Sequence, residues 1–279
     1  MATMPASAKK RRAAPRAGAQ VHPTAIVHPK ATLGPGVSVG PYSLIGPRVR
    51  LGPRTMIGAH CVVEGRTTRG ADCQLFTGAV IGSIPQDLKY SGEETLLVIG
   101  DRNKFREYVT VNAGTALGGG KTVIGSDCLL MAYSHVAHDC QIGNHVVLAN
   151  SAALAGHITV EDRAVVGGLV GVHQFVRIGT LAIIGGCSRV TQDVPPYSTC
   201  VGYPAKVFGV NGEGLRRAGV SEDVKHRLHR AFRVLFQSKL SMSHALEQVA
   251  SEVGRDNHGP ELQHLLAFVR ESKRGVCRG

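Results

Sequence analysis

The chain has 279 residues, 43% of them hydrophobic and 19% charged, with 35 Gly and no Trp. No apolar run approaches the roughly 18 residues of a membrane span, and seven Cys without a CxxC pair exclude a zinc ribbon or a disulfide framework and point to a reducing compartment. A net charge of +12 suits an acidic partner, but no stretch interleaves aromatic and basic residues as nucleic-acid stacking requires.

Residues 1–20 carry Lys9, Lys10, Arg11, Arg12 and Arg16 with no acid, which predicts a disordered basic tail, a targeting peptide being the alternative. From Val21 the chain repeats in sixes. Counted from Val27, every sixth residue (Leu33, Val39, Ile45, Leu51, Ile57, Val63, Arg69, Leu75, Ile81) is aliphatic except Arg69. Gly often follows it, as at Gly34, Gly40, Gly52 and Gly58, and the residue two before is small, as at Ala25, Ser43, Cys61 and Cys73. The series resumes at Ile99, Phe105 and Val111, then runs in a shifted phase from Ile124 to Val190.

Neither a helix nor a flat strand gives this period; a parallel β-helix does. Each hexad is a short strand and a corner, and three hexads make one triangular coil. The branched aliphatic points inward, the small residue fits the corner, and Gly is expected to accept the turn's backbone angles. Cys61, Cys73, Cys128 and Cys140 occupy the small slot and read as small hydrophobes.

Two loops interrupt the coil. The first, at 83–97, contains Gln86, Asp87 and Lys89; its anchors Ile81 and Ile99 are three hexads apart, so it is expected to replace about one coil. The second, at 115–121, includes Gly118, Gly119 and Gly120. Loops on a rigid repeat usually carry function. The coil domain spans 21–205, the repeat stopping at Pro195–Pro196. A helical domain follows over 206–279. One helix starts at the N-cap Ser221 and carries Val224, Leu228, Ala231 and Leu235; a second carries Leu246, Val249 and Val253; a third runs from Pro260 toward Gly275. These helices are expected to cover the open end of the coil.

Residues three hexads apart stack in such a coil. His138, Gly156, Gln174 and Gln192 form one column, and Asp139, His157 and Phe175 its neighbour. A neutral imidazole can take a proton from a sugar hydroxyl attacking a thioester. The Gly156 N–H can hold the oxyanion, and Asp139 can fix the imidazole tautomer if the chain bends there. Three hexads with His in one region make coincidence a weak explanation. A His₃ zinc site, as in gamma-type carbonic anhydrases, is the rival.

Six motifs in order carry a resemblance: Gln86-Asp87-Leu88-Lys89-Tyr90, Ile99-Gly100-Asp101-Arg102-Asn103, His135-Val136-Ala137-His138-Asp139-Cys140, Val172-His173-Gln174-Phe175, Gln192 through Tyr197, and Phe208 through Leu215. Together they resemble the UDP-N-acetylglucosamine O-acyltransferase family over nearly the whole chain from Val21. The resemblance implies a left-handed coil. It also implies a cytoplasmic homotrimer with its active site between subunits, no metal and no cofactor. The substrates would be an acyl carrier protein and UDP-N-acetylglucosamine. His138 would be the base, with Asp139 beside it and Gly156 as oxyanion donor. Gln86, Asp87, Lys89, His135, His157, His173 and Gln174 would line the substrate pocket. Asn211, Glu213 and Arg217 would lie near the nucleotide or the carrier's pantetheine arm, and Gly186, or else Ile183, would floor the acyl groove. The chain departs from the family at Asn112-Ala113 and at Ala218. Amide-forming acylation of an amino sugar nucleotide is a close variant, and a non-catalytic structural coil belongs to another class. The basic residues Arg216, Arg217, Lys225, Arg227, Arg230 and Arg233 predict a docking face for an acidic carrier.

Overall fold

The structure, a computed structural model, describes residues 18–253 and 259–278. The basic tail expected at 1–20 lies outside the described residues as far as residue 17. Strand structure begins at Gln20–Val21, and the chain winds from there into a left-handed parallel β-helix. Among the described residues the strands stack in three sheets of eleven, nine and eight. Successive strands visit the three in rotation: Met56–Ile57 lies in the first, Val62–Val63 in the second and Arg66–Arg69 in the third. Leu154 pairs with Val172 and Val160 with Ile178, the three-hexad coil predicted from the period.

The aliphatic column fills the interior. Val63, Ile81, Val111, Val136, Leu154 and Val190 are fully buried along the second sheet. Each such side chain stabilises the coil by about 1.5–3 kcal/mol through loss of contact with water. The small corner residues do more than fit. The Ser43 hydroxyl donates to the Gly58 carbonyl at 2.7 Å, and the Cys140 thiol donates to the Ala155 carbonyl at 3.2 Å. The corner side chain thus ties one rung to the next.

Glycine plays a different part from the one expected. The left-handed backbone angle falls three residues after the aliphatic, at non-glycine positions such as Arg54, Asp72, Asp139, His157 and Phe175. Gly directly after the aliphatic serves close approach instead: a Cβ at Gly40 would lie 2.6 Å from the Gly58 carbonyl oxygen of the next rung.

The first loop does not replace a coil. Val63 pairs with Ile81, three hexads on, but Ile81 pairs with Val111, five hexads on, so two hexads are inserted. A whole number of hexads preserves the phase and hides the insertion from a period count. Val111 then pairs with Val136, four hexads and one residue on, so the second loop inserts one hexad and one residue, which shifts the phase. Both insertions leave the coil at the edge between the second and third sheets.

The coil also continues past Pro195–Pro196. Ser198–Gly202 adds a parallel strand on Ile183–Ile184 and pairs antiparallel with Ala205–Val210. This hairpin closes the first sheet, and Val276 bridges to Asp193 beside the third. The end is therefore covered by a hairpin and the C-terminal segment as well as by helices. The helices are α1 (Gly212–Arg217), α2 (Glu222–Phe232), α3 (Met242–Val253) and α4 (Pro260–Glu271), with a π-turn at Arg233–Gln237 after α2. Ser221 caps α2 as expected, accepting from the Val224 amide. Helix α1 lies within the helical region expected over 206–279, ahead of the three helices named there, and α4 stops at Glu271, short of Gly275.

Candidate active site

The edge that carries both loops also carries His138. It follows the strand His135–Val136 of the second sheet and precedes Gln141–Ile142 of the third. Asp139 takes the left-handed corner angle, φ 61°. That bend brings adjacent side chains together: His138 Nδ1 lies 2.8 Å from Asp139 Oδ2. The condition on the role of Asp139, that the chain bend there, is met.

The Asp139 carboxylate is fully buried, and its other contacts come from the second loop. The Thr115 amide donates to Oδ1 at 2.9 Å and the Thr115 hydroxyl to Oδ2 at 2.7 Å. The carboxylate is thus met by three donors and held as an acceptor. Its contact with Nδ1 assigns the proton of His138 to that nitrogen and leaves the Nε2 lone pair open.

Gly156 sits one rung along, against the imidazole. A Cβ there would lie 2.6 Å from His138 Cε1 and 2.8 Å from Nε2, so any larger residue would push the imidazole from its place. The flanking amides of Ala155 and His157 are bonded to Val172 and His138 carbonyls, whereas the Gly156 amide donates to no group among the described residues. His157 completes the wall. Its ring meets His138 edge-on at 5.1 Å and stacks on Phe175 at 4.5 Å.

Burial lowers the pKa of His157, with Asp139 opposing, and burial followed by the charge of His138 lowers that of His135. His135 is oriented by Thr110 Oγ1, 2.7 Å from its Nδ1.

Where the rival zinc reading expected three His, the described residues bring together two His and a carboxylate, His138, Asp139 and His157, with ligand atoms all within 4.8 Å of one another. A metal there would have to displace the proton between His138 and Asp139 and compete with both Thr115 donors. The donor set fits a hydrogen-bonded base better than a metal centre.

Beside the base, an open apolar trough of about 390 Å³ runs over the second sheet, lined by His135, Ala153, Gly171, Val172, His173 and Arg189. Its floor is low because Ala153 and Gly171 stack above His135, and Arg189 follows Gly171 in the same column. The Arg189 guanidinium lies 5.0 Å from the Tyr203 ring centroid. Gly186 is exposed on the edge between the first and second sheets, across the second sheet from His138; Ile183 lies on the first.

Not every candidate gathers at this edge. Gln86, Asp87 and Lys89 do, on the first loop, where the Lys89 amide closes a turn on Asp87. His173 and Gln174 lie one rung beyond Gly156. Asn211 does not: it caps α1 and donates to the Leu181 carbonyl at 2.8 Å, on the edge between the third and first sheets. Glu213 is engaged with Arg216 and Arg217 on α1.

The predicted docking cations are also partly engaged. Lys225 is buried and paired with Glu222, and Arg227 is paired with Asp223. Arg230 and Arg233 remain exposed. Three residues near the site were not singled out from sequence. Thr110 and Thr115 contact His135 and Asp139 across insertions. Arg274 reaches His173 at 3.3 Å from 101 residues away and carries no local signal.

Comparison with known proteins gives a consistent set of likenesses. A family profile described as UDP N-acetylglucosamine O-acyltransferase, domain 2, matches residues 193–277, and the bacterial transferase hexapeptide profile matches 30–65 and 121–156. An acyl-carrier-protein–UDP-N-acetylglucosamine O-acyltransferase from Anaeromyxobacter sp. is 48% identical, over 77% of this chain and 82% of its own. The LpxA structure from Acinetobacter baumannii is 41% identical with a TM-score of 0.88, over 92% of this chain and 99% of that one. The UDP-N-acetylglucosamine acyltransferase structure from Arabidopsis is 37% identical with a TM-score of 0.80, over 92% of this chain and all of that one (100%).

Proposed function

The chain belongs to the UDP-N-acetylglucosamine O-acyltransferase family, and from that premise we propose that it transfers a 3-hydroxyacyl group from acyl carrier protein to the 3-hydroxyl of UDP-N-acetylglucosamine, the first step of lipid A biosynthesis, with His138 as general base. The observation that carries the mechanism is the line from Thr115 through Asp139 to His138, ending beside the Gly156 amide, which has no acceptor among the described residues.

The sugar hydroxyl gives its proton to His138 Nε2 as its oxygen bonds to the thioester carbonyl carbon. The Gly156 N–H receives the oxyanion. Collapse breaks the carbon–sulfur bond, and the leaving pantetheine thiolate takes that proton from Nε2 to depart as the thiol. Asp139 steadies the transient imidazolium. Gln86, Asp87, Lys89, His135, His157, His173 and Gln174 contact the substrates around this line.

The working unit is a homotrimer with the site between neighbours. Two features support that reading. Asn211, Glu213 and Arg217 lie on a different edge from His138, so a second subunit is needed to bring them together. Leu88 on the first loop and Leu117 on the second stand fully or largely exposed in the single chain. No helix among the described residues is long and apolar enough to cross a membrane; seven unpaired cysteines support a cytoplasmic location.

The test is mass spectrometry of the product formed from UDP-N-acetylglucosamine and 3-hydroxyacyl carrier proteins. The wild type should give the O-acylated sugar nucleotide, and a folded His138→Ala variant should lose about 10²–10⁴-fold in turnover. Near-normal turnover by that variant would remove His138 as the base.

A further inference from the structure

We infer that Thr115, on the second loop, is a positioning residue for this reaction: it fixes the rotamer of Asp139 and, through it, the tautomer and aim of His138. The inference rests on His138 being the base.

Asp139 is held from three sides. Its own amide donates to Thr122 Oγ1 at 2.8 Å, which fixes the corner backbone. Its carboxylate takes the Thr115 amide on one oxygen and the Thr115 hydroxyl on the other. The hydroxyl shares Oδ2 with His138 Nδ1. A carboxylate gripped on both oxygens by one residue cannot rotate about its last torsion. Oδ2 is therefore presented to the imidazole in one orientation.

The loop is itself built to hold this grip. Thr115 caps the short turn Ala116–Gly118, its hydroxyl accepting from the Gly118 amide at 3.1 Å. Gly118 then packs flat on the carboxylate: a Cβ there would fall 2.1 Å from Asp139 Cγ. The second insertion thus closes over Asp139 and shields it from water. Its contribution to the base is made through Asp139, whose Oδ2 it shares with the imidazole.

Thr115→Val removes the hydroxyl and nearly preserves the volume. The expected result is a kcat lower by roughly 10- to 100-fold, the scale of a misaimed catalytic group, with the KM for the sugar nucleotide unchanged. Thr115→Ser should restore most of the rate. In an Asp139→Ala background the Thr115→Val change should cost little, because the group it positions is gone. Circular dichroism and the melting temperature establish that each variant is folded. Wild-type kcat in a folded Thr115→Val variant overturns the inference while leaving His138 as base. So does a loss that appears in KM, that Ser does not rescue, or that persists fully without Asp139, since each indicates a loop-folding role. An active His138→Ala variant would instead remove the premise, a result read independently of any Thr115 variant.

Discussion

The imidazole of His264 on α4 lies 2.7 Å from Glu161 Oε2 on the coil, 103 residues away in sequence. The same oxygen accepts from the Thr180 amide and hydroxyl, both at 2.8 Å. This half-buried pair ties the helical domain to the coil. The bond to Glu161 raises the pKa of His264, against burial. Burial would raise that of Glu161, but the bonds from His264 and Thr180 outweigh it and lower it. The His264 contribution is full below its unfolded value near 6.5 and fades as pH rises through the raised folded value. The Glu161 contribution is full above about 4.5 and fades as pH falls through its lowered value. Melting temperature should therefore fall from pH 6 to pH 8 more steeply in the wild type than in His264→Leu. Parallel slopes for the two proteins over that range would show that the pair does not couple the domains.

Arg69 occupies the aliphatic column, 3% exposed; among the described residues its guanidinium nitrogens meet no nitrogen or oxygen acceptor, only the neighbouring Cys73 thiol, and its Cζ lies 5.0 Å from the Phe105 ring centroid. Burial lowers its pKa. A ring face compensates only part of the desolvation of such a charge. Arg69→Leu should stabilise the coil by about 1–3 kcal/mol, the cost of leaving a buried polar group unsatisfied. Chemical denaturation of the two proteins measures this directly, and a destabilised Leu variant would mean that the guanidinium makes an interior contact that strengthens the fold.

Gly186 is proposed as the acyl ruler. It lies eight hexads past His138, about 13 Å along the axis at the rung spacing of a sheet. A Cβ there would come within 3.2 Å of the Gly168 carbonyl oxygen, tight but at a non-strained backbone angle. Gly186→Met should shift donor preference to shorter acyl chains with His138 chemistry intact. Competition assays with carrier proteins of graded acyl length decide it. An unchanged profile would move the ruler elsewhere, to Ile183 or to Arg189 at the end of the trough.

Carrier docking should depend on Arg230 of α2 and Arg233 at the start of the π-turn, which form no ion pair among the described residues. Reversal of Arg230 and Arg233 to Glu should raise KM for the carrier substrate several-fold at low ionic strength, and the effect should shrink with salt. Reversal of Arg217 should do less, because Glu213 already neutralises it. Equal effects from both reversals would count against docking on α2.

The hexad period, by itself, determined the coil, its inward aliphatics, its three-hexad turn and the stacking of His138 on Gly156. These follow from a local rule: each strand's place depends only on the residue count since the last. The same rule stacked Asp139, His157 and Phe175. What the count could not reach was decided by tertiary structure. An insertion of two whole hexads looks identical to a replaced coil, so only the pairing of Ile81 with Val111 showed the length of the first insertion, and only the sheet order showed that both loops leave at the His138 edge. Pro195–Pro196 read as the end of the repeat, yet Ser198–Gly202 still pairs on the coil because its partner is already in place. Lys225 and Arg227 read as free cations until their helix set them beside Glu222 and Asp223. The grip of Thr115 on Asp139 and the reach of Arg274 to His173 join residues that no period relates. Such contacts depend on how loops and the C-terminal segment close over an edge, which the whole fold sets and no single repeat encodes.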